Sequence, residues 1–501
     1  MKRILSLALA FAMLLTCTAF TAASAESSDT LVVLPYMTSE NLNPYAGFSI
    51  DKVVRTQLFN SLWQYDENGQ GVACLAESWE DSEDGTSITV HLRQDVTFSD
   101  GTPFNADAVV FTYGIAANSA ALGYTTQSVI SKVEKVDDFT VVLYKAAPYA
   151  SVKEFCVEYL PIVSPTAYQA DPEGFSTNPV GTGAYVLDHI DSATNYVYLT
   201  ARDDYFEGTP SIKNIEVHVP LDSSVALVAL ENGEVQIGGP AMSNDDLAIA
   251  EGEGFAVENG AGWGAVSAMF FGEPYTSDEN LRKALNYAIN RENAAIYHGQ
   301  LDTTPASDFF AKKLLGDMAG KVPAIQYDPE KAAEYLAQSN YNGEELEINV
   351  TSTYVNIATS IQADLAAIGV NTVINTLDAN SWTAKMDDGT LGISVENWGV
   401  AYSSPEEMMG YFFNGGYYQG LGLTTSSDEL NAELNAAAST WNKEEREAHT
   451  LKALELARDL SYLAPLFEAG MPFAHSANLN GCEPVWAGTY NWYLWKCSFA
   501  E

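Results

Sequence analysis

The first half of the chain alternates apolar and polar positions over several short stretches. In residues 86–92 every second side chain is apolar, directly after an Asp-Gly turn. A period of two behind a turn signal predicts a strand with one buried face. Residues 139–144 predict another strand, and the turn residues at 99–103 lead into a predicted helix over about 106–117. The first half is therefore expected to be rich in strands and turns, with a few helices.

After about residue 265 apolar residues recur at helical spacing between short apolar runs. Residues 346–350 predict a strand, residues 357–368 a helix that ends at Gly369, and residues 370–374 a further strand. A strand, a helix and a strand at this spacing predict a right-handed crossover between parallel strands. The second half is therefore predicted to be an α/β unit.

Three helix starts in this half carry capping signals. Thr276 and Glu279 have the spacing of a capping box ahead of an apolar-periodic segment. Asp328 precedes a proline, which predicts an N-cap followed by proline at the first helical position. Asn442 stands three residues before a glutamate and predicts the start of a further long helix.

Two glycine-bearing segments, 260–264 and 470–472, bracket the second half. A hinge needs a few residues that absorb a backbone rotation, and two such segments side by side would supply them. Ordinary loops are the alternative interpretation.

The amino terminus has the pattern of an export signal. Lys2 and Arg3 precede an apolar run over 4–15, and small residues end at Ala25. This pattern predicts a signal peptide removed after residue 25, and the run is shorter than the ~20 residues that span a bilayer. Lipid attachment at Cys17 is the alternative, although a threonine precedes it. The protein is therefore expected on the periplasmic or extracellular face of the cell membrane.

Composition changes the picture in two respects. Acidic residues outnumber basic ones by 66 to 24, and the net charge is −42. Such a chain repels nucleic-acid phosphates and anionic lipids, so a nucleic-acid partner is not expected. A length of 501 residues exceeds what a single core usually organises, which predicts more than one compact unit.

Four cysteines follow the predicted signal peptide: Cys74, Cys156, Cys482 and Cys497. They have no C-x-x-C spacing of a metal or redox site. In an exported protein they could form two disulfides, with three possible connectivities. The local pairing of Cys482 with Cys497 is favoured, and free buried thiols are the alternative.

Enzyme and metal signatures are missing from the sequence. It contains no G-x-S-x-G, H-E-x-x-H, phosphate-binding or dinucleotide-binding motif, and its six histidines are scattered. No catalytic residue, metal site or cofactor is therefore predicted. Aromatic residues are abundant instead, and residues 396–405 place Trp398 and Tyr402 in a loop after an apolar strand. Loops at strand ends are where open α/β sheets bind ligands, although rings there could also cover a core edge.

Six segments occur in an order typical of one family: 41–45, 58–63, 75–80, 98–112, 178–185 and 281–291. With them the chain resembles the peptide/nickel/oligosaccharide-binding proteins of ABC importers, solute-binding protein family 5. The resemblance implies an α/β, two-lobed periplasmic-binding-protein-like fold with an extra subdomain and a cleft between the lobes. It implies lobe I at 26–264 and 469–501, a subdomain near 73–178, and lobe II at 265–468.

The implied function is capture of a small solute by lobe closure and its delivery to a membrane ABC permease. No bond is made or broken, and the protein is expected to be a monomer. An oligopeptide is the ligand most often bound in the family; an oligosaccharide or a metal complex is the alternative. A secreted hydrolase or adhesin is the alternative from another class.

By family position, ligand-binding residues are expected on both sides of the cleft: Trp382, Trp398, Ala401 and Tyr402 from lobe II, and Phe48, Ile50 and Tyr124 from lobe I. Ala401 occupies the position where peptide-binding relatives hold the ligand's amino group with an aspartate. The resemblance alone therefore predicts that a free amino terminus contributes little, unless Glu396 or Glu40 replaces that aspartate.

Overall fold

A computed structural model describes twelve stretches of the chain: residues 29–35, 41–46, 52–66, 71–148, 151–219, 221–239, 242–260, 264–299, 303–398, 404–468, 470–482 and 492–500. The predicted signal peptide and Cys17 lie outside them. Among the described residues, no helix combines the length and the apolar character needed to cross a membrane.

Residues 29–260, the part that the sequence interpretation assigns to lobe I, contain eleven described strands and seven described α-helices; the names lobe I and lobe II are kept below for the parts so assigned. The strands are β1 Thr30–Val33, β2 Trp63–Tyr65, β3 Gly71–Ala73, β4 Ala76–Asp81, β5 Ser87–Leu92, β6 Ile130–Asp137, β7 Thr140–Lys145, β8 Tyr185–Asp191, β9 Tyr196–Ala201, β10 Asn214–Val217 and β11 Ala256–Gly260. The helices are α1 Lys52–Leu58, α2 Ala106–Asn118, α3 Gly123–Val129, α4 Val152–Tyr159, α5 Pro165–Ala170, α6 Ser223–Glu231 and α7 Asn244–Glu253.

Two four-stranded sheets organise this part of the lobe. One has the order β1-β10-β9-β8, and the other has the order β4-β5-β7-β6 with antiparallel pairing throughout. The predictions for 86–92, 139–144 and 106–117 are confirmed as β5, β7 and α2. A single apolar core runs from Leu31 of the first sheet to Val141 of the second. The second sheet is therefore joined to the lobe through shared packing.

The glycines of the segment at 178–185 allow its backbone to pack closely against α1. A Cβ on Gly183 would lie 2.1 Å from the Gln57 carbonyl oxygen, and one on Gly181 would lie 2.2 Å from that of Leu58. Only glycine fits at such an approach. Between them Thr182 donates its hydroxyl to the Asn60 side chain at 3.0 Å. This segment fixes lobe I and belongs to the fold.

Lobe II contains six described strands and ten described α-helices. The strands are β12 Ala265–Phe271, β13 Thr304–Pro305, β14 Leu346–Val350, β15 Thr372–Thr376, β16 Gly392–Trp398 and β17 Leu463–Glu468. The helices are α8 Glu279–Ala288, α9 Arg291–His298, α10 Lys312–Leu315, α11 Pro329–Leu336, α12 Val355–Ala367, α13 Ala379–Asp387, α14 Pro405–Phe412, α15 Tyr417–Gly420, α16 Asp428–Ser439 and α17 Lys443–Leu460.

The six strands form one mixed sheet in the order β13-β17-β12-β16-β14-β15. The parallel pairing of β14 with β15 around α12 confirms the predicted strand, helix and strand. The last strand starts at Thr372, two residues later than predicted, because Val370 is used as a buried residue of the connection. Side chains on β12 alternate between two cores: Val266 and Phe270 face one, and Met269 faces the other. The sheet is therefore covered on both faces.

Two of the three predicted helix caps are confirmed. The Asp328 carboxylate accepts the N–H of Lys331, and the Asn442 side chain accepts the N–H of Glu445, each at 3.0 Å. The predicted capping box at Thr276 is wrong. Asp278 caps α8 instead, accepting the Leu281 N–H at 3.0 Å. An aspartate next to the helix competes better for this position than a threonine two residues further away.

The chain returns to lobe I through β18 Met471–His475, followed by β19 Leu479–Asn480 and β20 Ser498–Phe499. Strand β18 pairs antiparallel with β11, and β17 pairs antiparallel with β12. The two crossings between the lobes are therefore adjacent, at the glycine-bearing segments. Their role as a hinge stays a prediction.

The four described cysteines are buried thiols. The sulfur atoms of Cys482 and Cys497 lie 3.5 Å apart, next to the return strand β19. Cys74 and Cys156 lie in different surroundings, one near Glu207 and the other on α4 near Glu154. The geometry thus supports the favoured pairing and gives no second one among these four residues.

We expect the exported protein to contain one disulfide, between Cys482 and Cys497, and two thiols. Closing a loop of about 15 residues stabilises a fold by about 3 kcal/mol in the chain-entropy description. Alkylation of the unreduced, denatured protein followed by mass spectrometry should show two modified cysteines, and Cys482→Ser should raise the number to three. Four modified cysteines in the natural sequence would contradict the pairing.

Candidate ligand-binding site between the lobes

The two lobes touch at several places. Asn244 of α7 donates its side-chain N–H to the His298 carbonyl of α9 at 3.2 Å. The turn at Gly85 in lobe I lies against Trp441 in lobe II, since a Cβ on that glycine would be 3.7 Å from the Trp441 carbonyl oxygen. The structure is therefore a conformation in which the two lobes are in contact.

Ionisable groups from the two lobes also face each other. Burial lowers the pKa of Lys313 on α10 to about 7, and the nearby charge of Asp66 in lobe I opposes that shift. Burial raises the pKa of Tyr411 on α14, and Glu407 and Tyr124 raise it further. Tyr124 lies on α3 of lobe I and is 88% exposed. These neighbours place α10 and α14 of lobe II opposite lobe I.

The sheet of lobe II presents its strand ends on this side. Strand β14 pairs in parallel with both β15 and β16, so the carboxyl ends of all three lie at one edge. Helix α13 follows β15 at this edge, and α14 begins at Pro405, shortly after the end of β16. Open α/β sheets bind ligands at the edge where such strands end. The candidate site is therefore the surface formed by β16, α13, α14 and α15.

Trp382 on α13 is half-buried and held from two sides. Its indole N–H donates to the Ser394 hydroxyl at 3.0 Å, and that hydroxyl donates to the Asn349 carbonyl at 2.8 Å. The ring also packs against the lobe II core that contains Met386. Trp382 therefore has a structural role in lobe II, and its ring is also partly exposed. A residue that only lined the cleft would have no such structural contacts.

Glu396 lies on the same face of β16 as Ser394, because side chains two apart on a strand point to one side. Its Oε1 atom is buried, and no hydrogen-bond partner for it exists among the described residues. The residue opposite in the ladder is Ser267, whose hydroxyl is directed to the Ala265 carbonyl. Burial raises the pKa of the Glu396 carboxyl to about 7. This carboxyl is thus removed from water without a compensating charge in the described surroundings.

A second carboxyl and two tyrosines continue this surface. Burial raises the pKa of Glu407, in the first turn of α14, to about 7, although a hydrogen bond from the Ser404 backbone N–H to this carboxyl opposes the shift. Burial raises the pKa of Tyr418 on α15, and the neighbouring Glu396 and Tyr411 raise it further. Glu396, the buried ring of Tyr418, Tyr411 and Glu407 are therefore successive neighbours, and Tyr411 also neighbours Tyr124 of lobe I; we call these four residues the acidic surface of the site, with Tyr418 beneath it.

The residues predicted from the sequence are only partly described. Trp382 and Tyr124 are placed at the lobe II surface and on α3, as given above. The backbone of Trp398 ends β16 and pairs with Ala265, and its side chain lies outside the description. Phe48, Ile50, Ala401, Tyr402 and Glu40 lie outside the described residues.

The sequence interpretation missed Glu407, Tyr411, Tyr418 and the pair of Asp66 with Lys313. Glu407 follows a proline and another glutamate, which is the common pattern of an exposed first helical turn. No feature of that pattern indicates a buried carboxyl. Glu396 had a signal, since a glutamate inside a run that otherwise predicts a buried strand is unusual.

Fold and site together define a two-lobed protein that binds a solute between its lobes. A sequence model of the bacterial extracellular solute-binding proteins, family 5 Middle, matches residues 71–420. The chain belongs to this family, and it is a solute-binding protein.

Individual relatives agree with this assignment. The glutathione-binding protein GsiB of Pectobacterium atrosepticum is 27% identical over 380 residues, covering 72% of this chain and 71% of that protein. The nickel-binding periplasmic protein of Escherichia coli is 26% identical over 424 residues, covering 78% and 79%. The crystal structure of the ABC transporter substrate-binding protein CtaP of Listeria monocytogenes superposes with a TM-score of 0.83 at 22% identity, covering 95% of this chain and all of that one.

Proposed function

We propose that this protein captures a short peptide in the cleft between its lobes and presents it to an ABC permease in the membrane. The observation that carries the proposal is the edge of lobe II in a two-lobed solute-binding fold: Trp382 is partly exposed there, Glu396 has a buried carboxylate oxygen without a hydrogen-bond partner among the described residues, and Tyr411 neighbours Tyr124 of lobe I. The relative from Pectobacterium binds glutathione, which is a tripeptide, and this supports a peptide as the ligand class.

The proposal includes the lobe boundaries 26–264, 265–468 and 469–501, with a subdomain at 73–178. Two cores draw only on residues 266–467, whereas the others combine residues 31–250 with 473–497. This distribution supports two units joined by two crossings. Closure would be a movement about the glycine-bearing segments 260–264 and 470–472, because the strands that flank them are paired, β11 with β18 and β12 with β17.

The ligand would be held by side chains from both lobes. We assign stacking against the ligand to Trp382, Trp398 and Tyr402, and contacts from lobe I to Phe48, Ile50 and Tyr124. Aromatic walls bury large apolar areas and accept ligands of varied sequence, which suits peptide capture. In sequence, Ala401 stands at the position where peptide-binding relatives carry an aspartate.

The proposed protein acts outside the cytoplasm, after removal of residues 1–25, as a monomer that releases its ligand unchanged. A nickel complex is a second candidate ligand, because the relative from Escherichia coli binds nickel. An oligosaccharide would use the same aromatic walls.

The test is native mass spectrometry of the purified protein, followed by a thermal-shift screen. The screen contains dipeptides to pentapeptides, glutathione, short oligosaccharides and Ni²⁺ with histidine. A ligand at about 100 times its Kd adds about 2.7 kcal/mol of stability, which such a screen detects. Stabilisation by peptides, with the peptide recovered intact, supports the proposal. If only nickel or a sugar stabilises the protein, the ligand is not a peptide but belongs to that other class. Conversion of the peptide would indicate a hydrolase.

A further inference from the structure

The unpartnered carboxylate oxygen of Glu396 needs an explanation beyond the fold. A buried acceptor that lacks a donor destabilises the fold, more so when it is charged. Among the described residues Glu207 also has such a carboxylate oxygen, but Lys496 and Arg93 are its cationic neighbours. Among the described residues, those found beside Glu396 carry no positive charge: Ser267 lies opposite in the ladder, and Tyr418 is an ionisable neighbour. The rest of the lobe II surface adds Glu407, a further acid.

Position gives this carboxyl access to a ligand. Glu396 is only partly buried as a residue, although its Oε1 atom is fully covered. It stands two residues before the end of β16, at the sheet edge where α/β proteins bind ligands. Glu396 neighbours the buried ring of Tyr418, Tyr418 neighbours Tyr411, and Tyr411 neighbours the exposed Tyr124 of lobe I. A ligand closed between the lobes would therefore meet Glu396 from the side of lobe I.

We propose that Glu396 is the counter-ion for a cationic group of the ligand, and that this group is the free ammonium of a peptide's amino terminus. The inference rests on the proposed capture of a peptide and deepens it. An ammonium taken out of water needs a carboxylate partner, and a carboxylate held without one gains most from a cation. Glu396 thereby supplies the charge that Ala401 lacks, from a different position on the cleft wall.

This assignment reverses the expectation drawn from Ala401 alone. With Glu396 as counter-ion, acetylating the amino terminus removes the charge that it binds. We therefore expect acetylation to weaken binding by more than about 30-fold, because hydrogen-bonded charge pairs lose at least about 2 kcal/mol when one partner is removed.

The experiment compares free and N-acetylated forms of glutathione and of di- to pentapeptides by calorimetry, on the natural protein and on Glu396→Gln. Glu396→Gln should bind free peptides more than about 30-fold more weakly and acetylated peptides equally well. Glu347→Gln is the matched control: this carboxylate lies on β14 of the same sheet and accepts from Lys385 at 2.7 Å. It should leave both affinities within about twofold of the natural protein.

Folding is checked separately, by melting curves and by Glu396→Asp, which keeps the charge on a shorter side chain. Glu396→Asp should retain part of the discrimination between free and acetylated peptides. If free and acetylated peptides bind equally to the natural protein and Glu396→Gln does not weaken them, the assignment of Glu396 is wrong while peptide capture stands. If no peptide binds in either form, peptide capture and this assignment both fail.

Discussion

Lowering the pH from about 8 to about 5 is expected to add to the free energy of unfolding of the ligand-free protein, through two carboxyls of lobe II. In the folded state the carboxyls of Glu396 and Glu407 have pKa values raised by burial to about 7, above the ordinary value of 4.5. Between these two values the unfolded chain is ionised while the folded protein keeps the proton. Stability therefore falls as the pH rises through this window, by about 1 to 3 kcal/mol for each group.

The Glu396 share of this effect is isolated by Glu396→Gln. An amide cannot ionise, so the variant should be more stable than the natural protein at about pH 8 and equal to it near pH 5, as measured by chemical denaturation at each pH. Buried Glu207 and Asp364 shift in the same direction and remain in both proteins. If the variant is less stable than the natural protein at pH 8, the claim that the ionised Glu396 carboxylate lacks a compensating charge is wrong.

A bound ammonium should reverse the direction of the pKa shift of the Glu396 carboxyl. The cation favours the ionised carboxylate, so its pKa falls on binding and a proton is released. Affinity for a free peptide should then drop by up to tenfold for each pH unit below about 7. Calorimetry in buffers of different ionisation enthalpy measures the released proton directly. Affinity that does not change between about pH 5 and pH 8 would show that Glu396 is not titrated by the ligand.

Replacing Trp382 by alanine is expected to weaken ligand binding by about 10- to 150-fold, because a buried aromatic contact contributes roughly 1.5 to 3 kcal/mol. Since the ring also packs on the core and its N–H is bound to Ser394, the variant should lose about 1 to 3 kcal/mol of stability as well. Calorimetry well below the melting temperature separates the two effects. Trp382→Phe keeps most of the ring and should retain most of the affinity.

The matched control is Trp79→Ala. Trp79 is also partly buried and packs edge to face on Trp63, with ring centres 5.7 Å apart, in the β4 sheet of lobe I. Its loss should cost stability and leave affinity within about twofold of the natural value. If Trp382→Ala loses stability to the same extent but keeps its affinity, Trp382 is a core residue and not part of the site.

Much of the fold could be predicted because its helices and strands leave local patterns of apolar and polar residues in the sequence. Strict alternation gave β5, and the apolar period ended by Gly369 gave α12, since burial on one face leaves a direct trace in the pattern. The cap of α8 was misjudged because two acceptors, Thr276 and Asp278, stand close together and only the backbone decides which one reaches Leu281.

The segment at 281–291 shows what a motif alone cannot give. Its two arginines are buried and donate to main-chain carbonyls: Arg282 to Leu460 and Arg291 to Pro465, each at 2.7 Å. They tie α8 and α9 to the chain around β17. These contacts span more than 170 positions of the sequence, so nothing near the arginines indicates them.

The acidic surface of the site was hidden for the same reason. Glu396 was named only as a possible replacement for the aspartate that Ala401 lacks, whereas Glu407 has the sequence context of an exposed helix start. The burial of Glu407 arises from tertiary packing of α14 within lobe II. A carboxyl's pKa depends on such surroundings and not on its neighbours in the chain.

The central claim, capture of a solute by closure of two lobes, is tested most directly by small-angle X-ray scattering with and without ligand. The protein is saturated with the peptide that stabilises it most in the thermal-shift screen, and saturation is verified by calorimetry. We predict a smaller radius of gyration for the saturated protein, at an unchanged monomeric mass. An unchanged radius of gyration at full saturation would contradict capture by lobe closure.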